Sequence, residues 1–138
     1  MRVAVLSRNP ALYSTRRLVE AATERGHTVD VLDTLRCTGH LTATGPEVHY
    51  EGARIEPPDV LIPRIGASVT SYGLSVVRQF EAMGVWALNP SVGVTRSRDK
   101  LRAHQFLAKK GIALPRTAFS VVPTATPWIS DWTSVRPV

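Results

Sequence analysis

Short apolar runs alternate with stretches of helical period along the first ninety residues. Residues 2–7 carry Val3-Ala4-Val5-Leu6 and are bounded by Arg8, Asn9 and Pro10. An apolar run of this length closed by turn residues predicts a buried strand. A helix follows, starting near Pro10 with Asn9 as its cap, or at Ser14 as the rival cap. Leu12, Leu18, Val19 and Ala22 form its apolar stripe, Arg16 and Glu20 make an i,i+4 pair, and Gly26 ends it. Residues 28–33 predict a second strand. Strand, helix and strand within about thirty residues read as a βαβ unit with a right-handed crossover.

Residues 34–46 show no period and read as loop. Val48-His49-Tyr50 and Ala53-Arg54-Ile55 flank Glu51-Gly52, the pattern of a small hairpin. Pro57 and Pro58 break the chain before a core strand, Val60-Leu61-Ile62, which Pro63 ends. A helix over about 71–83 places Val76, Val77, Phe80 and Met83 on one side, with Gly84 beyond it. Val85-Trp86-Ala87-Leu88 predicts a fourth strand. A second unit begins near Ser91: Ser97 caps a helix over 98–110 with Asp99 in its first turn, Leu101, His104, Leu107 and Ala108 share a face, and Gly111 ends it. Residues 117–122 read as a further strand. Residues 123–138, with three prolines, Trp128 and Trp132, read as a poorly ordered tail. The first 90 residues thus predict a three-layer α/β domain with a mainly parallel sheet.

Composition narrows the class. The chain has 138 residues, 43% hydrophobic and 20% charged, as globular domains do. No apolar run approaches the ~20 residues that span a bilayer, and the N-terminal apolar stretch is too short for a signal peptide. The one cysteine, Cys37, has no disulfide partner within the chain. Together these predict a cytoplasmic protein without a membrane partner. The net charge of +6 permits phosphate, nucleic acid or an acidic polypeptide as a partner and does not choose among them.

Candidate chemistry is sparse. The first strand–helix turn, Ser7-Arg8-Asn9-Pro10, lacks the Gly-rich fingerprint of dinucleotide folds, and no P-loop is present, which excludes NAD, FAD and P-loop nucleotides from residues 1–90. Gly66-Ala67-Ser68-Val69-Thr70 lacks the second glycine of a nucleophile elbow. His27, His40, His49 and His104 have no metal-ligand spacing with each other or with Cys37, so no metal site is expected. Arg64 directly follows a buried strand, where open α/β sheets gather ligands, and its fork suits a carboxylate or phosphate. Lys100 lies in the first turn of a helix, where an ammonium is unfavourable unless a polyphosphate sits nearby.

Several runs arrive in the order of a known family. Val5-Leu6-Ser7-Arg8, Glu24-Arg25-Gly26-His27, Val60-Leu61-Ile62-Pro63-Arg64-Ile65-Gly66, Arg78-Gln79-Phe80-Glu81, Leu88-Asn89 and Arg98-Asp99-Lys100-Leu101-Arg102 resemble the start of RimK-type glutamate ligases of the ATP-grasp superfamily. The resemblance covers about residues 1–120. It implies a pre-ATP-grasp (Rossmann-like) domain over 1–90, the incomplete start of an ATP-grasp domain over 91–122, and a divergent tail over 123–138. It implies ATP with Mg²⁺ or Mn²⁺ as cofactors, and addition of glutamate to the C-terminus of a small-subunit ribosomal protein. By similarity Lys100 approaches nucleotide phosphate, while Arg64 and Gly66 lie on the substrate side. After Gly111 the sequence has no glycine, glutamate or lysine, and Asp131 is its only acid. The expectation is therefore a truncated or frame-shifted ligase, inactive alone, with no catalytic residue of its own and no cofactor bound productively. Two other readings stay open: a non-enzymatic binder of RNA or a ribosomal surface through residues 96–110, with free nucleic acid the less favoured partner, and an interaction module for full-length ligase subunits or a homo-oligomer.

Overall fold

The computed structural model describes residues 1–119. The chain divides into two compact units, Met1–Lys100 and Leu101–Val138, taken separately below.

In the first unit, β1 (Arg2–Leu6), β2 (Thr28–Leu32), β6 (Val60–Pro63) and β7 (Trp86–Ala87) form a parallel sheet in the order β2-β1-β6-β7. Helix α1 (Tyr13–Glu24) links β1 to β2, and α2 (Thr70–Ala82) links β6 to β7. These two crossovers run in opposite directions from the sheet centre. Right-handed crossovers then put α1 and α2 on opposite faces, giving the expected three layers. The strand side chains follow this division. Ala4, Leu6 and Leu61 join the cluster of Val76, Val77 and Phe80 from α2, while Val3 and Val5, also buried, alternate to the other face. Phe80 and Val77 are fully buried, and Met83 packs against the cluster, so the expected apolar stripe of α2 is the one the fold uses.

A second, antiparallel sheet has the order β3-β4-β5, from β3 (Cys37–Thr42), β4 (Gly45–Tyr50) and β5 (Ala53–Arg54). The hairpin of β4 and β5 is the expected one. Glu51 and Gly52 both take positive φ, 52° and 86°, the pairing of a type I′ turn that matches strand twist. Strand β3 corrects the reading of 34–46 as loop. A 3₁₀ turn at Thr34–Arg36 leads into it, and it pairs with β4 along its full length. Cys37 is therefore no loop residue. It is buried at the start of β3.

Helix ends also differ from expectation. Helix α1 starts at Tyr13 behind Leu12, which is half exposed at the cap position instead of in the apolar stripe. Neither Asn9 nor Ser14 caps it: Asn9 Oδ1 accepts from the Ala11 N–H at 2.9 Å, closing a turn before the helix, and no side chain bonds the cap. Glu20 pairs with Arg17 instead of Arg16. The expected helix over 98–110 is α4 (Lys100–Lys109), and a further helix not expected from the sequence, α3 (Ser91–Arg98), precedes it, the two separated where Asp99 turns extended at ψ 94°. Ser97 does not start a helix. Its hydroxyl donates to the Val94 carbonyl at 3.1 Å within the last turn of α3. The ends of α1, α2 and α4 share one device, in which bonds from residues 27, 85 and 112 reach back five residues over a left-handed glycine.

In the second unit, α4 runs to Lys109 and Gly111 terminates it at φ 69°, as expected. Leu101, Ala108, Leu114, Pro115 and Phe119 line a cavity of about 230 Å³, where His104 Nδ1 lies 3.3 Å from the Thr117 hydroxyl. Residues 117–119 are not in a strand. Residues 120–122 of that expected strand, and the expected tail, lie outside the described residues.

Candidate functional site

The parallel sheet reverses direction between β1 and β6, because β1 leads to β2 on one side and β6 to β7 on the other. Open α/β sheets bind ligands at the carboxyl ends of such a strand pair. Here those ends are Ser7-Arg8 and Arg64-Ile65-Gly66, joined by a bond from the Arg64 N–H to the Leu6 carbonyl at 2.9 Å.

Each residue is positioned by a local bond. Ser7 is 2% exposed, and its hydroxyl pairs with Thr15 Oγ1 at 3.0 Å, tying the β1 end to α1. Arg64 Nη2 donates to Ser14 Oγ at 3.1 Å. That partner is neutral, and among the described residues neither Arg64 nor Arg8 forms an ion pair. Two guanidiniums without a countercharge favour an anionic ligand. A Cβ added at Gly66 would meet nothing within 4 Å, so this glycine leaves open space beside Arg64. Beside β1, at the end of β2, Ser7, Arg8, Asp33, Arg36 and Tyr50 line a cavity of about 230 Å³. Arg36 is not available there. It pairs with Glu51 and lies 3.9 Å from Asp33, and the Glu51 bond and charge raise its pKa.

Two tethers were not readable from the sequence. Arg98, at the end of α3, donates from Nη2 to the Ile65 carbonyl at 2.6 Å, so the loop holding Arg64 and Gly66 is fastened by α3. At the other end of α3, Glu81 accepts from the Ser91 N–H at 2.7 Å and from its hydroxyl at 2.6 Å. The signal for the second was a carboxylate on α2 ten residues before a serine that follows Asn89-Pro90. Lys100 is the first residue of α4 and exposed, and among the described residues it bonds neither Arg64 nor Gly66.

Among the described residues no three of His, Cys, Asp and Glu gather to hold a metal. His40 and His49, separated in sequence, stack at 4.1 Å because β3 and β4 are adjacent, and His49 lies 3.3 Å from Glu47. The donor set of these described residues therefore does not fit a magnesium or manganese ion. The Cys37 thiol is pushed up to about 12 by burial, reinforced by Asp33, so it stays protonated and unreactive at neutral pH.

The family described as the RimK PreATP-grasp domain matches residues 1–94. The chain belongs to this family. The chain is 55% identical over 138 residues to a probable alpha-L-glutamate ligase of Pseudomonas fluorescens strain Pf0-1, covering all of this chain and 46% of that protein. It thus spans about half the length of the curated relative. Among solved structures it is similar to the ATP-grasp ligase PsnB complexed with a minimal precursor, at a TM-score of 0.70 and 20% identity over 96% of this chain and 49% of PsnB. PsnB with a phosphomimetic precursor variant, Mg and ADP gives a TM-score of 0.68 at 20% identity, covering 96% and 50%. These structural likenesses show that the chain shares the fold of the matching part of ATP-grasp ligases. No helix among its described residues is long and apolar enough to cross a membrane.

Proposed function

We propose that this chain is part of an ATP-dependent glutamate ligase that adds glutamate to the C-terminus of a small-subunit ribosomal protein in the cytoplasm. In this reading residues 1–90 are the pre-ATP-grasp domain and residues 91–122 begin the ATP-grasp domain. The observation that carries it is Arg64. A guanidinium without an ionic partner stands at the sheet's switch point, in a chain whose first 94 residues match the RimK family. Arg64 holds a substrate carboxylate, Gly66 leaves the space for it, and Lys100 approaches nucleotide phosphate. The relative named a probable alpha-L-glutamate ligase supports the reaction class, and the PsnB complex with Mg and ADP supports ATP and a divalent metal as cofactors of the whole enzyme.

The 138 residues alone are inactive in this reading. Activating a carboxylate with ATP requires charge neutralisation of the triphosphate, usually by a metal on carboxylates. After Gly111 the sequence offers Asp131 alone. Two measurements test the proposal. Purified chain is expected to hydrolyse no ATP and ligate no glutamate above a Lys100→Ala control, and measurable turnover above that control overturns inactivity. Titration with glutamate or an acidic C-terminal peptide is expected to shift the amide resonances of residues 64–66, and to lose that shift in Arg64→Ala. Shifts that survive Arg64→Ala, or none in the wild type, overturn the assignment of the site.

A further inference from the structure

The cavity at the carboxyl ends of β1 and β2 has walls of mixed chemistry. Arg8, Asp33, Arg36 and Tyr50 supply its polar side, and Pro10 and Val31 its apolar side. Its volume is about 230 Å³. Pockets for drug-sized ligands start near ~300 Å³, so a fitting occupant is smaller than a nucleotide.

The charges around this space do not neutralise one another directly. Arg36 is engaged with Glu51, and its Nε stands 3.9 Å from Asp33 Oδ2, beyond hydrogen-bond reach. Asp33 Oδ1 accepts from the Leu35 N–H at 3.0 Å, which fixes the carboxylate. Oδ2 accepts no hydrogen bond among the described residues. Arg8 is exposed and makes no ion pair among the described residues, so it does not reach Asp33. The Tyr50 hydroxyl accepts from the Asp33 N–H at 3.4 Å and has its own proton left to donate.

A cation and an anion therefore face one small space without touching each other. A bare anion held by Arg8 is repelled by Asp33, and a bare amine held by Asp33 is repelled by Arg8. A small molecule carrying both charges satisfies both sides.

We propose that this cavity binds a free α-amino acid as its zwitterion. The Arg8 fork and the Tyr50 hydroxyl take the α-carboxylate, and Asp33 Oδ2 takes the α-ammonium. Pro10 and Val31 face the first methylene of the side chain. The zwitterionic class rests on the charge pattern. That the amino acid is the glutamate to be added rests on the ligase reading, in which Arg64 is then left to the carboxylate of the acceptor chain.

Titration of the 138-residue chain, followed by amide resonances, tests it. L-Glutamate is expected to shift the amides of Ser7, Asp33 and Tyr50 saturably. N-Acetyl-L-glutamate, which lacks the ammonium, and inorganic phosphate, a bare anion, should bind there at least tenfold more weakly. Arg8→Gln removes one charge from an exposed side chain. Asp33→Asn removes the other while keeping an oxygen for the Leu35 N–H. Each should raise the dissociation constant for L-glutamate at least tenfold with unchanged circular dichroism. KM values run up to about 1 mM, so no saturable shift at these amides by about 10 mM overturns the proposal. Shifts that phosphate or N-acetyl-L-glutamate reproduces at equal strength overturn it too, as do shifts that folded Arg8→Gln leaves unchanged. The ligand series reads the charge requirement even where Asp33→Asn fails to fold. The Arg64 assignment is read separately, at residues 64–66 in Arg64→Ala, so either claim can fail while the other stands.

Discussion

Glu81→Ala is predicted to loosen α3 while leaving the sheet untouched. Helix α3 has eight residues, of which only Ser91 is buried, so burial holds it weakly. Its hold comes from its ends: Glu81 on Ser91, and Arg98 on the Ile65 carbonyl. Glu81 acts as a cap borrowed from α2, accepting two bonds at the helix N-terminus. A lost cap costs about 0.5–2 kcal/mol, and a lost carboxylate at a helix N-terminus about 0.3–1 kcal/mol more. Water reaches the rim and recovers part of this, which leaves about 2 kcal/mol. At about 1.4 kcal/mol per decade, amide exchange in α3 should speed up roughly thirtyfold. Native-state hydrogen exchange measures this residue by residue, with the β1 amides as the internal reference. Glu81→Gln keeps one acceptor and should fall between. An equal acceleration in α3 and β1 would show that α3 opens only with the whole unit. No acceleration would show that the carboxylate does not hold it. Either result refutes the end-tether account.

Two further predictions follow from contacts and charge. A Cβ at Gly73 would come within 2.5 Å of Ile65 Cγ2, so Gly73→Ala should destabilise by about 1–3 kcal/mol in denaturant titration and shift the amide resonances of residues 64–66. Cys37 should resist iodoacetamide at pH 8 in the folded chain and react once it is unfolded. Its folded pKa is raised to about 12 from 9.0, so the folded state keeps the proton longer; the associated stability is full below pH 9 and is lost as pH rises toward 12, a fall that Cys37→Ala should flatten.

What could be read from the sequence was what burial dictates. β1, β2, β6 and the stripe of α2 are apolar runs or periods, and each appears where expected. Strand β3 was unreadable because five of its six residues are exposed; it exists through pairing with β4 and through the Gln79 amide, which donates to the His40 carbonyl at 2.7 Å. The break between α3 and α4 was unreadable because Ser97 has the chemistry of a cap and uses it inward. At the site, Arg64 could be found as a charge directly after a buried strand. Arg98 could not, because its bond spans 33 residues and looks, in sequence, like one more cation in a basic stretch.

The proposed function rests on the chemistry of the switch point. Its charged side chains are the guanidiniums of Arg8 and Arg64, neither of which forms an ion pair among the described residues. Under the proposed function such groups would bind and orient an anion through paired donors. Asp33, the carboxylate that lines the adjoining cavity with Ser7 and Arg8, is already engaged through Oδ1, accepting from the Leu35 N–H at 3.0 Å beside Arg36. Under the proposed function, orientation is the contribution of this face, and it depends on how firmly the 64–66 loop is held. Arg98 and Glu81 supply that firmness through α3, so a change at Glu81, remote in sequence from Arg64, should reach the ligand through the Ile65 carbonyl.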